Sequence, residues 1–116
     1  MKKRKNSRAK GCRGELELAK YLASKGFVAR RGQQFSGSPD SPDVVCQSLP
    51  GWHIECKRVE KGQLYEWLAQ ARRDAGKKIP LVAHRKNRED WVVILRLEDF
   101  LTTFLNTAEL ESSRNG

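Results

Sequence analysis

The sequence predicts an α/β domain, a central mixed β-sheet flanked by helices in the order α-β-β-β-α-β-β-α. Three observations point to it. Residues 13–25 and 63–75 repeat apolar side chains at helical spacing, and a glycine, Gly26 or Gly76, follows each stretch. Five short apolar runs, separated by polar or Gly/Pro-containing turns, have the length of strands. These runs are interleaved with the helical stretches, which places a sheet between helices. At 116 residues the chain suits one domain with one modest core.

The elements follow in order. Residues 1–13 hold seven lysines or arginines and no acid, and residues 1–10 are expected to form a flexible basic arm. Such an arm suits tracking a phosphate backbone or simple solubility. The domain proper is expected over 11–107. In the helix at 13–25, Glu15, Leu18, Ala19 and Leu22 share one apolar face, while Glu17 is expected to face solvent. A carboxylate on a buried face is costly unless it is paired or binds a metal, so Glu15 is a candidate functional residue. The ordinary alternative is a first-turn glutamate interacting with the helix N-terminus.

Residues 27–31 alternate as a strand, and the Gly- and Ser-rich stretch 32–41 is a loop. Residues 43–47 and 52–57 form two strands joined by the turn at 48–51. The second helix carries an apolar stripe of Leu64, Trp67, Leu68, Ala71 and Ala75. Strands at 79–84 and 91–95 and a closing helix at 97–107 complete the domain, and 108–116 is expected to fray.

The charge balance narrows the function. Lysine and arginine number 23 against 14 acids, a net charge of +9, with a pI near 9.8. Such a field draws in polyanions, and nucleic acid is the commonest. The three cysteines, Cys12, Cys46 and Cys56, form no C-x-x-C pair, which argues against a zinc site or a disulfide framework. Cys46 and Cys56 suit small core positions. No apolar run is long enough to span a bilayer, and the basic N-terminus lacks the apolar stretch of a signal peptide. A cytoplasmic protein is expected, in the host cytoplasm if a phage encodes it.

The chemistry concentrates in the hairpin at 43–57. Along its second strand, Trp52, Ile54 and Cys56 face one way, and His53, Glu55 and Lys57 the other. Glu55 and Lys57 therefore stand side by side, as an exposed cross-strand ion pair would or as a catalytic carboxylate and ammonium would. Asp43 opens the first strand, and register decides its part. If Gln47 pairs with Trp52, Asp43 lies opposite Cys56, on the wrong face. If Cys46 pairs with Trp52, Asp43 lies opposite Glu55. Two carboxylates suit a small hard cation, and an adjacent ammonium would stabilise charge on a phosphate. Asp40, in the preceding Ser-Pro-Asp, is a rival. Asp43 is preferred because Val44-Val45-Cys46 ties it to the sheet.

Glu15 in a helix after Gly11-x-Arg13, then Ser36-Gly37, Pro42-Asp43 and Glu55-Cys56-Lys57, resembles the PD-(D/E)XK nuclease superfamily. Within it the likeness is to Holliday junction resolvases of the archaeal type and their phage relatives, over roughly residues 11–100. The resemblance implies a restriction-endonuclease-like core and hydrolysis of DNA phosphodiesters, selective for branched DNA. Asp43 and Glu55 would bind Mg2+ (with Mn2+ as a substitute), and Glu15 would complete or support the site. Lys57 would position the attacking water and stabilise the transition state. A protonated lysine beside carboxylates is an electrostatic group, not a base, which leaves water activation to the metal. Arg13, Ser36 and Arg58 would contact backbone phosphates, and Gln70 would support the site or be an ordinary solvated glutamine. A homodimer is implied, since cutting two strands calls for two active sites. The doubled Ser-Pro-Asp departs from the family pattern. A non-catalytic nucleic-acid binding module explains the charge equally well, and a protein–protein adaptor using Trp52, Trp67 and Trp91 explains it less well.

Overall fold

In the computed structural model, residues 7–32 and 43–105 can be described. The chain forms α1 (Ser7–Ser24), β1 (Ala29–Arg31), β2 (Val44–Cys46), β3 (Trp52–Lys57), α2 (Leu64–Ala75), β4 (Ile79–His84) and β5 (Val92–Ile94). A further helix, α3, covers 97–105. The five strands lie in the order β1-β2-β3-β4-β5. All pairs are antiparallel except β3 with β4, which run parallel. A parallel pair needs a crossover, and α2 supplies it.

The predicted element order holds. β3 and β4 have their expected bounds, and β1, β2 and β5 are one or two residues shorter at their ends. Phe27 and Val28 lie outside β1 and are exposed. The larger correction is α1, which starts at Ser7. Residues 7–10 are helical rather than part of an arm, since Arg, Ala and Lys are good helix formers and no proline interrupts them. Residues 1–6, 33–42 and 106–116, and with them Ser36, Asp40, the rest of the expected arm and the expected frayed end, lie outside the described residues.

Strand alternation sends side chains to two apolar layers. On one face Leu18 and Ala19 of α1 meet Val44, Cys46, Ile54 and Ala83, with Trp52 and Cys56 packed at the margin. On the other, Leu68 and Ala71 of α2 meet Val82, with Trp67 and Ile94 beside them. Burying a side chain such as Val44, Ile54 or Val82 contributes roughly 1.5–3 kcal/mol. Leu64 departs from the expected stripe. It stands in the first turn of α2 and is 46% exposed, short of the sheet that buries Leu68 and Ala71. Three free cysteines occur, Cys46 among them in the core.

Gly14 sets how closely α1 approaches the end of β3. A Cβ there would lie 2.6 Å from Cβ of Arg58, which cannot swing away as a side-chain tip would. Gly14→Ala removes the helix penalty of glycine, worth about 1 kcal/mol. The overlap outweighs it, because overpacking costs about 1–3 kcal/mol. A net loss of stability is expected in urea unfolding, and a more stable variant would contradict the close approach.

Candidate active site

The site forms where β2 and β3 part. Val44 pairs with Ile54, so continuing the register sets Asp43 opposite Glu55. This is the second of the two registers weighed above, the one in which a site can form. The ladder is irregular there. The Asp43 N–H donates to the Ile54 carbonyl at 3.1 Å, and the Asp43 carboxylate takes the Cys56 N–H through Oδ2 at 2.8 Å. That bond ties the acid to the strand carrying Glu55.

Glu55 and His53 lie on the α2 side of β3, since Ile54 between them faces α1. This face is not the exposed polar surface that an ordinary ion pair would occupy: His53 is 2% and Glu55 6% exposed. His53 Nε2 and Glu55 Oε1 are 2.8 Å apart. Burial pushes the Glu55 carboxyl up, but hydrogen bonds from His53 and Asp43 and the electrostatic pull of His53 and Lys57 bring it below its usual range. Asp43 goes the other way. Burial, then its hydrogen bond and repulsion with Glu55, push it up to about 8, against the Cys56 N–H, with Glu15 adding to the rise. The two carboxyl groups thus share a proton that one of them holds up to mildly alkaline pH.

The Lys57 side chain is half-buried on the same face as Glu55 and makes no hydrogen bond or ion pair with the described residues, while its backbone carbonyl accepts from the Arg85 N–H at 3.1 Å. Its charge acts on Glu55 and on Cys56. The Cys56 thiol is pushed up to about 12 by burial and by Asp43, Glu15 and Glu17, so it is inert as a nucleophile.

Glu15 sits on the sheet-facing side of α1 as expected, but it is already engaged. Arg31 Nε donates to its Oε2 at 2.8 Å. Glu17 corrects an expectation, for it does not simply face solvent. Arg58 binds it at 3.2 Å and Arg85 forms a second ion pair with it. The close approach at Gly14 brings α1 within reach of both arginines. Arg58 also meets Asn87 Oδ1 at 3.1 Å, so a phosphate there would compete with partners already in place. Arg13 and Gln70 are exposed. His53 was overlooked in the sequence. Its signal was a histidine at alternate spacing from Glu55 on one strand face.

Among the described residues no group of three or more His, Cys, Asp or Glu side chains converges as a complete metal cage. Two carboxylates that repel each other, with one proton between them, still fit a small hard dication. Mg2+ is bound through one or two carboxylates and keeps its waters and substrate phosphates as further ligands.

Residues 6–115 match the family described as "Phage putative PDDEXK endonuclease". The chain belongs to this family. The endonuclease also resembles a 1.6 Å structure of Archaeoglobus fulgidus Hjc, a Holliday junction resolvase from an archaeal hyperthermophile. That likeness has a TM-score of 0.51 and 26% sequence identity, and covers 74% of this chain and 72% of the other. No curated protein matches the endonuclease in sequence. The mixed five-stranded sheet with flanking helices is therefore the nuclease fold that the resemblance implied. No described helix is long and apolar enough to cross a membrane.

Proposed function

We propose that this protein is a divalent-metal-dependent DNA endonuclease, selective for branched DNA of the Holliday junction type. The observation that carries it is the Asp43–Glu55 carboxyl pair at the mouth of the β2–β3 hairpin, Glu55 buried and Asp43 half-buried, with Lys57 beside it on one strand face. Selectivity for junctions rests on the likeness to Hjc.

Asp43 and Glu55 would hold the cation, Mg2+ or Mn2+. When bound, it supplies Lewis-acid polarisation of the phosphate and activation of water. Lys57, on the same strand face as Glu55, orients the scissile phosphate by charge and hydrogen bonds. Glu15, held by Arg31, supports the site from α1 through its charge. Arg13, exposed on α1, and Arg58, at the end of β3, meet the DNA backbone, as would Ser36. The protein acts as a homodimer, which gives one site for each of two strands. Val92 and Val93 on the edge strand β5, with Leu97, Phe100 and Phe104 on α3, expose the apolar surface such a pairing would cover.

The shared proton makes metal uptake pH-dependent. Asp43 is raised, so its protonated form favours the metal-free fold. Stability present below the ordinary aspartate range is lost as pH rises through about 8. A cation must displace that proton. Apparent affinity for Mg2+ is expected to improve about tenfold per pH unit below this value and then level off. Calorimetric titrations at several pH values check this, and an affinity flat from pH 6 to 8 contradicts the shared proton.

The substrate reading is tested by offering a four-way junction, a flap, a linear duplex and a single strand in Mg2+. Paired, symmetric cuts at the junction are expected. Equal cutting of all four keeps the nuclease and removes the junction selectivity.

A further inference from the structure

We infer that His53 is a positioning residue, which fixes Glu55 by donating a hydrogen bond from Nε2 to Oε1 and so leaves the other carboxylate oxygen for the cation. The inference rests on the metal site proposed above.

His53 is among the largest fully buried side chains in the protein, at 2% exposure. A histidine on a central strand is an awkward way to fill a core, since its ring carries two polar nitrogens. An aliphatic side chain would fill that position without any polar nitrogen to satisfy. Here Nε2 is committed to Glu55 Oε1 at 2.8 Å, from two residues away on the same strand face. A carboxylate oxygen only accepts, so Nε2 carries the hydrogen, and the tautomer is set by Glu55. No buried side-chain nitrogen or oxygen among the described residues is left without a partner.

The geometry confines Glu55 on both sides. β3 is a central strand flanked by β2 and β4, with His53 level with Pro80 of β4. The backbone of β3 is therefore rigid, and the remaining freedom of Glu55 is rotation of its own side chain. A donor at Oε1 removes it. An outer partner of this kind orients a ligand and raises metal affinity about 10- to 100-fold.

The test uses the full chain without DNA, with free Mn2+ followed by electron paramagnetic resonance. His53→Met fills the space without a donor, and His53→Gln returns an amide donor at similar reach. His53→Met is expected to weaken Mn2+ binding about 10- to 100-fold, with His53→Gln recovering most of it. DNA affinity in EDTA should be unchanged in both. If His53→Met binds Mn2+ like wild type, His53 is a core residue only and the inference falls, while the metal site stands. If wild type itself takes up no Mn2+, the metal site falls and the inference with it. Nitrogen NMR on the wild type decides the matter should either variant fail to fold. The Nε2-protonated tautomer, with ring resonances displaced by Mg2+, supports the inference. The Nδ1-protonated tautomer, or a ring that ignores Mg2+, overturns it.

Discussion

Lys57→Ala is expected to lower the cleavage rate about 100- to 1000-fold while leaving the protein folded, the loss typical when one preorganised charged group is removed from a transition state. The side chain is half-buried at the end of β3 and supports none of the fold's hydrogen bonds among the described residues. Its charge is one of the influences holding Glu55 ionised. The loss should therefore appear in kcat, with DNA affinity little changed and Mn2+ affinity moderately weaker. Lys57→Arg should recover only part, because a planar guanidinium does not reproduce a compact ammonium. Single-turnover cleavage in Mg2+ separates these effects. A variant that cuts at the wild-type rate would remove Lys57 from the chemistry.

Asp43→Asn should separate stability from activity. The asparagine amide oxygen still accepts from the Cys56 N–H, which Asp43 now takes at 2.8 Å. Its NH2 group can donate to Glu55, so the repulsion that raises Asp43 disappears. Without metal, the variant should melt higher than wild type, and most clearly above pH 8, where wild type carries two adjacent negative charges largely removed from water. Cleavage should fall at least about 100- to 1000-fold, because a hard oxygen anion has been lost from the site. The rise in melting temperature that Mg2+ gives wild type should be lost as well. Thermal melts with and without Mg2+ read both effects. A variant less stable than wild type at pH 9 would show that the two carboxyl groups do not oppose each other. This is the usual conflict at functional sites, where groups placed for chemistry destabilise the fold.

Much of this architecture was legible in the residues. β3 could be bounded because its apolar and polar side chains alternate between a turn and the charged end at Lys57-Arg58. α2 could be bounded because Gly76 ends a strong stripe, and at its C-cap this residue takes φ 59°, where glycine is at ease. The site was legible as a list of residues but not as an arrangement. Whether Asp43 meets Glu55 depends on one residue of register, and the turn at 48–51 is compatible with either. The structure chooses by pairing Val44 with Ile54.

What the sequence hid were contacts between distant segments. Arg31 binds Glu15 across 16 positions, and Arg58 and Arg85 reach Glu17 across 41 and 68. A helical wheel shows which face a glutamate occupies, not which arginine will stand over it. The start of α1 was hidden for a local reason. The basic run has good helix propensity, but no apolar stripe carries the helical period back to Asn6-Ser7, whose cap-type side chains suit a helix start. His53 was hidden because Glu-x-Lys on an alternating strand looks like a solvated face. α2 covers that face, and the covering turns a surface histidine into a buried partner of Glu55.

The most direct test of the account is a cleavage assay on a four-way junction in Mg2+, with EDTA as control and Glu55→Ala beside wild type. Cutting that requires Mg2+, stops in EDTA and vanishes in the variant, while both proteins bind the junction, is the predicted result. Junction binding without cutting in Mg2+ or Mn2+, or cutting that survives in Glu55→Ala, would contradict a metal site built on Asp43 and Glu55.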